Sequence, residues 1–159
     1  LAGVLGVVIL AVVAVFIAGL RTKYPPVVDR VRRFARDVGN PQLLKTAGKA
    51  GAKASIIRHT GRTSGRQYET PVTAMVTADG FVIALPYGRN TDWLKNVLAQ
   101  GSATMVHDGT GYRVDQPQVV PSASAAADFS PTERRTLRWF GVDECLRLRR
   151  AGPDGATAG

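Results

Sequence analysis

The sequence predicts an α+β fold, mainly β: a small closed or partly closed barrel behind an N-terminal transmembrane helix. Three observations predict it. Leu1 to Leu20 carries no charged or strongly polar side chain. From Ala54 to Val120 the chain reads as five or six short strand-like runs separated by turn signals, the pattern of a small barrel. One helical stretch, "WLKNVLAQ", interrupts those runs.

The apolar segment comes first. Twenty helical residues rise about 30 Å, the thickness of a bilayer's hydrocarbon core, and a helix satisfies its own backbone polar groups, as lipid demands. A buried core helix is the bland alternative, and a cleaved signal peptide is the other. The positive charge follows the segment: Arg21, Lys23, Arg30, Arg32, Arg33 and Arg36 face only Asp29 and Asp37. The positive-inside rule then places the rest of the chain in the cytoplasm, behind a single-pass anchor.

Tyr24-Pro25-Pro26 separates that anchor from Val27 to Val38, where apolar residues at Val27, Val28, Val31, Phe34, Ala35 and Val38 give helical spacing. Its arginine-rich face suits a membrane surface. Leu43 to Lys53 is a weak, glycine-interrupted segment. Strands are expected from Ala54 to His59, Tyr68 to Thr77 and Phe81 to Leu85, with Asp79-Gly80 as a hairpin signal. Thr91-Asp92 offers a helix start and Gly101 a stop. Ala103 to His107 and Tyr112 to Val120 follow around Asp108-Gly109, with Pro117 marking an edge or an end. Ser130-Pro131-Thr132-Glu133 opens a last helix carrying Leu137, Trp139 and Phe140. The chain thus divides into a transmembrane anchor (1–20), a basic juxtamembrane helical segment (21–53), a barrel with a C-terminal helix (54–150) and a disordered tail (151–159).

Composition limits the chemistry. Cys145 is the only cysteine, so no intrachain disulfide or cysteine-based metal site forms; it reads as a small apolar residue in a helix. The net charge of +9 admits anionic lipid, nucleic acid or an anionic small molecule. Nucleic acid would want a broad basic face with exposed aromatics on the strands. Here the basic residues gather in the juxtamembrane helix, one loop and Arg147 to Arg150, and the two ends suit anionic lipid.

That one loop is "TGRTSGR", Thr60 to Arg66. It fails the Walker A pattern, having three residues between Gly61 and Gly65 and a strand after it. Two readings stand: a solvated hairpin, or an anion cradle in which glycine backbone N–H groups and two arginines bind phosphate or carboxylate. The second cluster is "LPYGRNTDWLKN", Leu85 to Asn96. Its helix start favours anions; Trp93 serves packing or ring stacking, and Lys95 and Asn96 a solvated face or a site. His59 and His107 lie at strand ends, and no residue is assigned a catalytic role.

Taken together, "HTGRTSGRQYETPV", "VIALPYGRNTDWLKNVLAQG" and "YRVDQPQVV" resemble the deazaflavin-dependent nitroreductase family. The resemblance covers roughly Ala54 to Val120 and continues more weakly into "LRWFGVDECLRLRR". It implies a split β-barrel of the FMN-binding-like type that binds reduced coenzyme F420, with FMN as the alternative. It also implies hydride transfer from the coenzyme to a quinone, nitro compound or activated alkene, a cofactor-borne chemistry needing no metal. On the matching positions, Thr60, Gly61, Arg62, Ser64, Gly65 and Arg66 would hold the coenzyme's phosphate and acidic tail, with Pro71 in the Thr-Pro pair that follows. Pro86, Tyr87, Gly88, Arg89, Asn90, Asp92 and Trp93 would line the deazaflavin ring, with Lys95 and Asn96 completing the motif. Nitroimidazole-reducing members use tyrosines near the C-terminal end, where this chain has Trp139 and Phe140. Tyr68, Tyr87 and Tyr112 are the remaining proton-donor candidates. The partners implied are the coenzyme, a small hydrophobic electron acceptor such as a quinone, and membrane lipid. The barrel would work as a monomer or homodimer, and a non-catalytic barrel binding coenzyme or lipid is the third reading.

Overall fold

The computed structural model describes residues 14, 17–19, 21, 22, 24–34 and 39–151. The anchor expected over 1–20 lies outside them apart from residues 14 and 17–19, which are helical, and the tail beyond 151 lies outside them too. Among the described residues no helix is long and apolar enough to cross a membrane.

Helix α1 (Pro25–Phe34) begins on the second half of the Tyr-Pro-Pro break. Proline is tolerated at the first positions of a helix, where the missing N–H would find no partner anyway. A short α2 (Asn40–Leu44) follows, again entered through a proline. Then come β1 (Ser55–Thr60), β2 (Gln67–Val72), β3 (Ala74–Val76), β4 (Gly80–Ala84), α3 (Asp92–Gln100), β5 (Ser102–His107), β6 (Thr110–Pro121), α4 (Pro131–Trp139) and β7 (Glu144–Arg150). Among the described residues, seven strands make one antiparallel sheet in the order β2-β1-β5-β6-β7-β4-β3.

That order requires the sheet to curl. β2 and β3 stand at opposite edges, yet only Thr73 separates Val72 from Ala74. Two Cα steps reach about 7 Å, whereas six inter-strand gaps laid flat span about 29 Å. The two edges must therefore approach each other at Thr73, and the sheet curls into a half-barrel. Tyr68 to Thr77, expected as a single strand, is the run that joins them: its first part pairs with β1 and its second with β4.

β6 makes the opposite bend. Thr110 to Asp115 pairs with β5, and Val114 to Pro121 with β7, with a register shift between Asp115 and Gln118. Pro117 sits in that irregularity beside Gln116 at φ +51°, so it marks a corner inside the strand rather than its end. A bulge increases the local twist and tolerates a proline. At the β5–β6 turn, Asp108 and Gly109 both have positive φ, the requirement of the hairpin turn expected there.

One expectation is overturned at the C-terminal end. Cys145 lies in strand β7, not in a helix. "ECLRLRR" alternates, sending Leu146 and Leu148 into the barrel while Cys145 and Arg147 face the other side. Nor is this basic run simply surface charge for lipid: Arg147 pairs with Asp128 at 2.9 Å, and the Arg150 guanidinium lies over the Phe81 and Tyr112 rings.

The barrel core is Ile57, Phe81, Ile83, Leu94, Val97, Met105, Val114, Leu146 and Leu148 with their neighbours. A second, smaller cluster outside the sheet joins Val82 and Cys145 to Ala125 and Phe129, with Leu137 of α4 packed against it. β4 is thus covered on both faces, which is why Phe81-Val82-Ile83 is continuously apolar.

Candidate functional site

The loop between β1 and β2 folds back on itself. Gly61 N–H donates to Arg66 carbonyl (2.7 Å) and Gly65 N–H to Gly61 carbonyl (2.8 Å). A Cβ at position 61 would run into Ser64 Oγ and the Tyr68 ring, so a larger residue there would push both side chains aside. This turn hands Arg62 to the start of α3. The Arg62 backbone N–H and Nη1 both donate to Asn96 Oδ1 (3.1 and 2.8 Å), and Nη2 meets Asp92 Oδ1 at 3.2 Å. Arg62 therefore clasps the loop to the helix. Arg66 is exposed, and its guanidinium pairs with no carboxylate among the described residues.

Asn96 carries the clasp inward. With Oδ1 accepting twice from Arg62, its Nδ2 donates to His59 Nδ1 at 3.2 Å. His59 then keeps its proton on Nε2 and donates it to Thr70 Oγ1 at 3.1 Å. The imidazole is buried, and burial holds its pKa below the ordinary 6.5. The neutral tautomer is the one that its two hydrogen bonds, to Asn96 and Thr70, require. Tyr68 stacks on His59 with ring centroids 5.8 Å apart, and its hydroxyl meets Ser64 Oγ at 3.1 Å.

These groups wall a cavity of ≈ 880 Å³, a size typical of small-molecule and cofactor sites. One wall is the loop (Gly61 to Ser64) with Tyr68 to Pro71 of β2 and His59 of β1. A second wall, joined to the first through Arg62, is Tyr87 and the entry of α3, Thr91 to Trp93 with Asn96. The third comes from the two N-terminal helices: Asp29 and Arg33 of α1, with Asn40, Pro41 and Leu44 at α2. Two features mark it as a site for a polar or anionic group. Thr91 stands at the α3 N-terminus without capping it, and its buried Oγ1 has no hydrogen-bond partner. The helix start adds unsatisfied N–H groups and a positive dipole end. Tyr87 is half-buried, and burial raises its pKa, so its phenol stays protonated.

The motif residues divide. Gly61, Arg62, Ser64, Pro71, Tyr87, Asp92, Trp93 and Asn96 line the cavity. Thr60, Gly65, Arg66, Pro86, Gly88, Arg89, Asn90 and Lys95 do not. Of these, Thr60 accepts from Gln67 Nε2 at 2.9 Å, Arg89 pairs with Glu144 at 2.6 Å, and Lys95 Nζ bonds Asn90 Oδ1. Of the three tyrosines, Tyr68 and Tyr87 reach the cavity, while Tyr112 packs against Phe81 in the barrel. His107 is also elsewhere, bonded to Ser55 at 2.8 Å.

Sequence reading missed His59, Thr70 and the α1–α2 wall as cavity elements. One signal for His59 was available: it shares the inward parity of β1 with Ile57, with exposed Arg58 between them. Its partner Asn96 is 37 positions away, and no local pattern connects the two.

No family model matches the chain, and no curated protein is similar to it in sequence. Among solved structures it is similar to an F420 reductase at 10% identity and a TM-score of 0.46, over 62% of this chain and 86% of that one. A second is a protein from Clostridium acetobutylicum related to general stress protein 26, of the pyridoxine phosphate oxidase family (11% identity, TM-score 0.43, 75% and 84% covered). A third is an FMN-binding protein from Syntrophomonas wolfei (14% identity, TM-score 0.38, 77% and 92% covered).

Proposed function

We propose that the chain is a membrane-anchored oxidoreductase whose cavity binds a flavin-like coenzyme, reduced F420 in the first reading and FMN in the second. The observation that carries this is the unpartnered, buried Thr91 hydroxyl at the start of α3, lining one cavity with an arginine- and glycine-rich loop. A buried hydroxyl without a partner is costly, and a ligand oxygen or ring nitrogen at that place relieves it. The TGRTSGR and WLKN motifs that resemble the deazaflavin family meet at this cavity, joined through Arg62, Asp92 and Asn96.

Bound and reduced, such a ring supplies a hydride to a quinone, nitro compound or activated alkene. The chain's own residues bind, orient and protonate. Arg66, two residues from Ser64 and Tyr68, supplies a charge for a phosphate or acidic tail. Trp93 offers an aromatic wall. Tyr68 and Tyr87 present hydroxyls to the cavity as hydrogen-bond donors, and burial keeps the Tyr87 phenol protonated. The proposed anchor would place the cavity beside a bilayer, the reservoir of a lipid-soluble acceptor.

The test is titration of the full chain in detergent micelles with coenzyme F420 and, separately, FMN, followed by fluorescence. Tighter binding of the deazaflavin is expected. Preference for FMN would move the chain to the flavin reading, and binding of neither would sink both.

A further inference from the structure

Arg21, the residue that follows the N-terminal apolar segment, is held on the end of α4. Arg21 Nη1 donates to the Trp139 carbonyl at 2.6 Å and to the Arg138 carbonyl at 3.4 Å, placing a cation on the C-terminal carbonyls of α4, where the helix dipole favours it. Behind it, the Arg21 backbone presses on Gly141. A Cβ at that glycine would lie 3.1 Å from the Arg21 carbonyl oxygen, and its φ of +63° also favours glycine. So the first residue after the apolar run docks on the end of α4.

Around that contact the surface is unusual. Trp139 is 59% exposed, Tyr24 56% and Phe140 41%, which places three aromatic rings in water close to residue 21 in sequence or through its hydrogen bonds. Arg135, Arg138 and Trp139 stand at i, i+3 and i+4, hence on one face of α4, away from Leu137, which packs on the outer cluster. All three are exposed. Exposed aromatics with arginines beside an apolar helix end are the chemistry of a bilayer interface: rings at headgroup depth and cations on anionic lipid.

We propose that the outer face and C-terminal end of α4 seat on an anionic bilayer as a second membrane contact, with Trp139 and Phe140 at headgroup depth and Arg135 and Arg138 on the lipid charge. This rests on the reading of residues 1–20 as an anchor. The occupant is lipid rather than a second copy because the apolar segment ends here, at Arg21, and the face is cationic. The seat would hold the barrel in one orientation to the membrane.

The chain has two tryptophans, and Trp93 is partly buried in the cavity wall, so emission reports the seat directly. The full chain is reconstituted into vesicles of phosphatidylcholine with or without phosphatidylserine, carrying a quencher on the lipid near the headgroup. Flotation reads the anchor, and quenching reads the seat. The expected result is flotation with quenching that Trp139→Phe abolishes, stronger on anionic vesicles, a preference that the Arg135→Gln/Arg138→Gln variant loses. Flotation without quenching from Trp139 overturns the seat and leaves the anchor standing. Equal quenching on both lipids overturns its electrostatic half. A chain that does not float removes the anchor, and the seat falls with it.

Discussion

At His59 the barrel buries an ionisable ring and commits both of its nitrogens, Nδ1 to Asn96 and Nε2 to Thr70. Desolvation holds its pKa below 6.5, so between the folded and unfolded values the unfolded chain binds the extra proton. The stability that follows is fully present above 6.5 and is lost as pH falls through the folded value. Melting temperature should therefore fall as pH drops below 6.5, and His59→Gln should flatten that part of the slope. A pH profile unchanged by the substitution would assign the drop to other groups. The two arginines of the loop are expected to separate. Arg66→Ala should weaken coenzyme binding by about 1.5–3 kcal/mol in a salt-dependent way, with the melting temperature nearly unchanged. Arg62→Ala should lower both, because Arg62 also clasps Asp92 and Asn96.

Two helix starts in this chain do different things, and the contrast is testable at the level of the element. At α4, Ser130 Oγ accepts from Glu133 N–H (3.3 Å), and the Glu133 carboxylate accepts from Ser130 N–H (2.7 Å), a complete capping box. Ser130→Ala should cost about 1 kcal/mol, read from the urea midpoint. At α3, Thr91 makes no side-chain cap and its hydroxyl is buried without a partner. Thr91→Val should leave the urea midpoint unchanged or raise it, since an unsatisfied buried oxygen is removed without loss of shape. Coenzyme affinity should fall. A helix start that stabilised only the fold would show the reverse, a lower midpoint with binding intact.

The curl of the sheet governs the whole molecule. The chain crosses from one sheet edge to the other at Thr73, so the core is shared by strands from every part of the barrel. Phe81 sits at its centre, fully buried, with the Tyr112 ring 5.5 Å away and the Arg150 guanidinium 5.2 Å from its own. Phe81→Ala should cost about 3–5 kcal/mol and shift the denaturation midpoint without changing its slope. A much smaller loss would mean that the barrel collapses onto the vacated space.

Local signals carried far in this sequence. Asp108-Gly109, Gly101 and the Ser130–Glu133 box each act within a few residues, and each stands where the sequence places it. Strand alternation was legible wherever one face is polar, as in β7, although the helix reading of Cys145 passed over it. Long-range placement was not legible. Nothing near Thr73 announces that one extended run joins two edges, because the curl depends on how seven strands twist together. The His59–Asn96–Arg62 chain and the α1–α2 wall of the cavity share that origin. The sequence alone determined which residues can turn, cap and carry charge, since those properties reside in the side chain and its immediate neighbours. Only the tertiary structure decided which of them share a cavity, because that requires strands and helices distant in the chain to pack together first.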